Sequence, residues 1–243
     1  MSAPASLAAT LGIGFVLGLR HALDTDHLVA VGTLVARERS FWRGARLGVV
    51  WGLGHTATLF VMGLLIIVLG LSVPDGVGMW LQLAVAGMLV FLGARTLWLW
   101  WRGDGHVCAH QHDGHVHAHF HQHGGHSCAN PPSSAPAKLR GAVHRQSFLV
   151  GMVHGLSGSA ELMLLVLATI RHPLWALVYV AVFGAGMIVA MFALTAMLAR
   201  VLSFTARFQN GWSRVDGGLR AFSGVASLGF GAFLLWQSVR GLG

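Results

Sequence analysis

Arg20-His21-Ala22-Leu23-Asp24-Thr25-Asp26-His27 is the stretch that decides how this chain is read. Arg20, both histidines and both aspartates are ionisable, yet the run sits inside apolar sequence: Leu11 to Leu19 precede it and Leu28 to Gly32 follow. A charged side chain at the centre of a bilayer costs about 2.5–3.5 kcal/mol on insertion scales, so such groups usually mark an ion or proton path. Two imidazoles and two carboxylates are also a ligand set for a divalent transition metal. The run therefore reads as a metal site within a membrane protein.

Composition agrees. Of 243 residues, 55% are hydrophobic and 10% charged, against roughly 25% charged in a soluble domain. The 33 glycines suit closely packed transmembrane helices. The formal net charge of +8 does not imply a nucleic-acid partner, because most arginines fall in short segments between apolar spans. The partner this composition implies is the lipid bilayer. The N-terminal stretch lacks a basic region followed by a small-residue cleavage motif, so no cleaved signal peptide is expected.

Apolar segments of spanning length lie near 7–36, 46–71, 79–101, 145–170, 174–202 and 217–240. The expected fold is an all-α membrane protein of six transmembrane helices, arranged as two inverted three-helix repeats. Residues 1–101 form the first repeat with the metal motif. Residues 102–144 form a disordered His-rich loop, and 145–243 the second repeat. The repeat is carried by Gly14 to His21 matching Ser147 to His154, by Gly52 to His55 matching Gly184 to Met187, and by Gly93 to Trp98 matching Gly231 to Trp236. Three spans per half is an odd number, which inverts one half relative to the other. Arg37, Arg39, Arg43 and Arg46, then Arg102, Lys138, Arg140 and Arg145, then Arg200, Arg207, Arg214 and Arg220 cluster in alternate loops. The positive-inside rule puts those loops in the cytoplasm of a cell (inner) membrane and both termini outside.

On a straight helix His21, Asp24 and His27 cover an arc of about 120° and a length of about 9 Å, with Asp26 pointing elsewhere. That length is too great for one ion, since metal–ligand bonds are about 2 Å. Either the helix unwinds around Gly18 to Asp24, or the residues form successive stations, or only some ligate. Arg20 is placed to pair with Asp24. His55, in Gly52-Leu53-Gly54-His55-Thr56, can supply a further ligand from the second span. In the fourth span His154 and Glu161 lie seven residues apart on one helix face and are second-half candidates.

The loop between spans three and four holds nine histidines, His106, His110, His112, His115, His117, His119, His121, His123 and His126, bracketed by Cys108 and Cys128. Their spacing reads as irregular, so the tract is taken as an auxiliary metal-binding sponge and not a folded zinc site. In a cytoplasmic loop both cysteines should be reduced thiols.

His21 to Leu28 resembles the His-x4-Asp-His signature of the nickel/cobalt transporter family, and Gly54-His55-Thr56 resembles that family's Gly-His-Ser/Thr motif. The resemblance spans roughly residues 11–62. Later acidic motifs of the longer, eight-helix members are replaced here by His154-Gly155-Leu156-Ser157-Gly158-Ser159-Ala160-Glu161, which places the chain in a shorter branch. It implies uptake of Ni2+ or Co2+ as transported substrate, with no permanent cofactor, through His21, Asp24, Asp26, His27 and His55. Efflux by the same superfamily is the alternative. A less favoured alternative is an intramembrane metalloenzyme, for which no His-Glu-x-x-His or nucleophile motif is present; the chain is read as no enzyme. A thiol-redox carrier is excluded because both cysteines lie outside the spans. Protein partners left open are a second copy and a metallochaperone at the cytoplasmic loop.

Overall fold

The computed structural model describes residues 3–35, 40–69, 77–102, 106–112, 115–121, 137–156, 170, 172–205 and 212–240. Helix α1 (Ala3–His21) is followed by α2 (Thr25–Val35) after a short break, with a bend of 56° between them. The sequence explains the break. The Leu23 and Asp24 amides donate to the Arg20 and His21 carbonyls at 2.9 and 3.1 Å, a tightened last turn. The Asp24 carbonyl then accepts the first bond of α2 from Leu28 at 3.0 Å, so Asp24 holds an N-cap position, which aspartate favours. Asp26 lies in the first turn of α2, where a carboxylate complements the helix dipole.

Helix α3 (Phe41–Leu69), α4 (Val77–Trp101), α5 (Ala137–His154), α6 (Pro173–Thr205) and α7 (Trp212–Arg240) complete the helices of the described residues. Residues 41–65, 78–101, 173–201 and 218–240 are each long and apolar enough to cross a bilayer, and the bent pair from 7 to 35 is a fifth crossing if counted as one span. The sixth expected segment, 145–170, is described only to Leu156 and again at Ile170. A count of six is therefore not reached among the described residues. Large apolar side chains such as Trp80, Phe91, Trp101 and Phe222 are exposed on the helical surface, as expected where lipid and not water is the neighbour. The protein is a multi-pass, helical membrane protein.

α3 lies along α6 and α4 along α7, while α1 crosses α6 and α5 crosses α3. The crossings are made by glycines with no room for a side chain. A Cβ on Gly18 would strike the Phe183 carbonyl, and one on Gly186 the Phe15 carbonyl. On the other crossing, a Cβ on Gly151 would strike the Trp51 carbonyl, and one on Gly54 the Phe148 carbonyl. Three of these pairs are positions that the sequence matches to one another, Gly18 with Gly151, Gly186 with Gly54 and Phe15 with Phe148, and Trp51 and Phe183 each stand one residue before the matched segments 52–55 and 184–187. The third matched pair behaves alike, Gly93 meeting Leu228 and Gly224 while Gly231 meets Val90 and Ala86. At the ends of α4 and α7, Arg102 lies 4.1 Å over the Trp98 ring and Arg240 lies 4.0 Å over Trp236, again at equivalent positions. Hydroxyls bind across helices, Ser147 to the Leu47 carbonyl at 2.9 Å and Ser227 to that of Leu89 at 2.8 Å. Such small-residue contacts and hydrogen bonds are what hold helices together where lipid removes the hydrophobic drive.

The His-rich segment departs from its reading as irregular. His106–His112 (β1) and His115–His121 (β2) pair as an antiparallel hairpin, with His106 opposite His121, Cys108 opposite His119, His110 opposite His117 and His112 opposite His115. The sequence between and around the strands accounts for this. Asp113-Gly114, flanked by strictly alternating residues, is a strong short-range hairpin signal. His123, His126 and Cys128 lie outside the described residues.

Candidate metal centre

The break between α1 and α2 decides the geometry. His21 is the last residue of α1 and His27 sits in the first turn of α2; both are buried. The two rings meet edge to face with centroids 4.7 Å apart. α3 brings His55, fully buried, to 5.2 Å from the His21 ring and 5.3 Å from the His27 ring. Each of the three can offer one ring nitrogen, and these lie within 4.8 Å of one another. A straight helix could not have done this, and the unwinding alternative is the one the backbone adopts.

The remaining ring atoms have assigned duties. His21 Nδ1 is 2.8 Å from Asp24 Oδ2, so it donates to the carboxylate and leaves Nε2, 3.3 Å from His55 Nε2, as the lone-pair nitrogen. His27 Nδ1 donates to the His21 carbonyl at 2.7 Å, which satisfies the end of α1 and fixes the tautomer with Nε2 unprotonated. That nitrogen has no hydrogen-bond partner, nor has His55 Nδ1. Buried polar atoms without partners are rare and call for an explanation such as a bound ion. An imidazole held by a carboxylate or carbonyl at one nitrogen and free at the other is the arrangement found behind metal-ligating histidines.

A second group lies beside the first. Asp24, Asp26 and His27 also offer ligand atoms within 4.8 Å of one another. Asp26 Oδ2 is 3.9 Å from His27 Nε2. Asp24 is 42% exposed at its side chain, whereas His27 is wholly buried, so this group leads from the surface to the interior. Asp26 belongs to it because the bend turns α2; the straight-helix expectation that it points elsewhere is corrected. Asp24 pairs with His21 and not with Arg20, whose side chain is exposed; among the described residues no ion pair joins Arg20 to Asp24.

From the second half, His154 ends α5 wholly buried, its ring 5.3 Å from that of His27. Its Nδ1 donates to the Val150 carbonyl at 3.2 Å and its Nε2 is unpartnered. Glu161, Ser157 and Ser159 lie outside the described residues. Sequence reasoning overlooked Trp51. It is fully buried, stacks on His55 at 5.4 Å with the planes 19° apart, and touches His27 and His154 at 5.0 and 5.3 Å. Its place one helical turn before His55 was the available signal. Phe183 closes the other side, 5.4 Å from His21.

Fold and cluster together define a multi-pass helical membrane protein with buried imidazoles gathered at a broken helix. Comparison with known proteins narrows this. The chain is 30% identical over 240 residues to the urease accessory protein UreH of Bacillus sp. (strain TB-90), covering 95% of this chain and 97% of that protein. It belongs to the family of that protein. No family model matches the chain, and no solved structure matches it.

Proposed function

We propose that the protein is a permease that takes up Ni2+ or Co2+, with the ion passing through the His21–His27–His55 cluster. The observation that carries this reading is three buried imidazoles at a helix break, two of them with an unpartnered nitrogen, in an otherwise apolar bundle. Imidazole nitrogen favours the later first-row divalent ions, while carboxylate oxygen is less selective. Asp24 and Asp26 would meet the incoming hydrated ion, and His27, common to both groups, would hand it to His21 and His55. His154 stands beside His27 as the second half's contributor, with Glu161 further along the same segment. A relative named as a urease accessory protein is consistent with nickel as the cargo. Two positive charges moving down about 100 mV release roughly 4–5 kcal/mol, enough for accumulation on the order of a thousandfold without further coupling.

The architecture that supports this is six spans in two inverted three-helix repeats. The paired glycine crossings and the paired Arg–Trp contacts favour it. Under that topology the Arg102 end of α4 faces the cytoplasm and the Arg240 end of α7 faces outside, in a cell (inner) membrane.

Uptake by cells expressing the protein, compared across nickel, cobalt, zinc and manganese, tests the function. Nickel or cobalt should accumulate and manganese should not. Expulsion of preloaded nickel with no net uptake would instead support the efflux reading. Labelling of Cys108 and Cys128 tests the topology. An impermeant thiol reagent should leave both unmodified in intact cells and modify them after permeabilisation; ready labelling in intact cells would overturn the assignment.

A further inference from the structure

The His-rich hairpin has an order that a sponge does not need. Alternate strand residues fall on opposite faces. Positions 106, 108, 110 and 112 of β1 share one face with their partners 121, 119, 117 and 115 of β2. Every one of those eight positions is histidine except 108, which is cysteine. The other face carries Val107, Ala109, Gln111, Val116, Ala118 and Phe120. Seven histidines and a cysteine on one face, and none on the other, is a segregation that composition alone does not produce.

We infer that β1–β2 is a folded metal-binding ladder with two four-donor sites, one of three histidines and a thiol, the other of four histidines. Directly opposed strand residues have their Cβ atoms about 4.5–5.5 Å apart, and successive residues on one face of a strand are about 6.6–6.8 Å apart. Two adjacent rungs thus form a four-cornered frame on the scale that bonds of about 2.0–2.3 Å to nitrogen and sulfur require. The rungs His106–His121 and Cys108–His119 form the mixed frame. The rungs His110–His117 and His112–His115 form the all-imidazole frame nearest the turn. The ligand class is a divalent first-row ion that accepts nitrogen and thiolate donors: nickel, cobalt or zinc. A lone two-stranded hairpin is marginally stable in water, so ion binding across the strands also stabilises their pairing.

The test uses the full-length protein purified in detergent, titrated with Ni2+ or Zn2+ and read by binding stoichiometry, affinity and the Ni2+–thiolate absorption band. The key variant is Cys108→Ala with Ala109→Cys, which keeps composition and moves the thiol to the other face. A second variant, His110→Gln with Gln111→His and His117→Ala with Ala118→His, moves one rung across. A control exchange, Val107→Ala with Ala109→Val, leaves the ligand face intact. The ladder requires the thiolate band to vanish in the first variant and affinity to fall about tenfold or more in the second, with the control unchanged. A sponge gives the same band and affinity in all of them, and that result overturns the inference, as does equal loss in the control. None of these readouts depends on transport, so a failed ladder leaves the uptake reading untouched, and failed uptake leaves the ladder untouched.

Discussion

His27→Ala is expected to abolish uptake of nickel and cobalt at low concentration, a loss of at least about a hundredfold. Its side chain belongs to both candidate ligand groups, so its removal opens the imidazole triad and detaches the carboxylate pair at once. Altering residues that only support a metal ligand costs about 10–100-fold in affinity or activity, and a shared ligand should cost more. Its Nδ1 also caps the His21 carbonyl, so a folding defect must be separated from a ligand defect. His55→Ala serves that purpose, since the His55 ring makes no hydrogen bond to the backbone of the broken segment among the described residues. Asp24→Asn should behave as a supporting change. The amide can no longer accept and orient the His21 Nδ1 proton as a carboxylate does, and apparent affinity should fall by about 10–100-fold. Uptake and membrane-inserted protein level are measured for each. Near-normal uptake by both His27→Ala and His55→Ala would rule out the cluster as the transport path.

The second large effect concerns the crossings. Gly18→Ala and Gly151→Ala should each destabilise the protein by about 1–3 kcal/mol, the usual cost of forcing atoms into a packed interior, because the new methyl meets a backbone carbonyl that cannot rotate aside. The losses should be similar in size, since the two crossings are built from equivalent residues. Gly12→Ala and Gly87→Ala serve as controls: nothing lies within 4 Å of a Cβ at either position, so they should be neutral or stabilise by up to about 1 kcal/mol, as alanine does in place of glycine inside a helix. Thermal unfolding in detergent reads all four. Should Gly18→Ala and Gly151→Ala prove as mild as the controls, the close crossings are wrong and so is the pseudo-two-fold arrangement drawn from them. The consequence for function is direct. Gly151 sets how near α5 comes to α3, and so how near His154 comes to Trp51 and His55.

The membrane class and the candidate ligands could be read from the residues themselves. Long apolar segments have few other uses, and charges inside them are too costly to be incidental. Matched glycines 18 and 151, 54 and 186, 93 and 231 were also visible, because a close helix crossing admits only the smallest residue and so leaves a mark in the sequence. The hairpin is equally legible in the alternation about Asp113-Gly114, where the signal is the parity of the histidines and not their number. What the chain alone could not decide was which ligands meet. Helical periodicity spread His21, Asp24 and His27 over a length no ion can span and turned Asp26 away. The three-residue break reverses that, and whether a helix breaks at Asp24 depends on whether other elements satisfy the freed groups. Here the His27 ring adds a second hydrogen bond to the His21 carbonyl, which also accepts from the Asp24 amide, and Trp51, His55 and Phe183 from α3 and α6 pack around the gap. The partners that make the break tolerable come from distant parts of the chain, and only the tertiary fold brings them there.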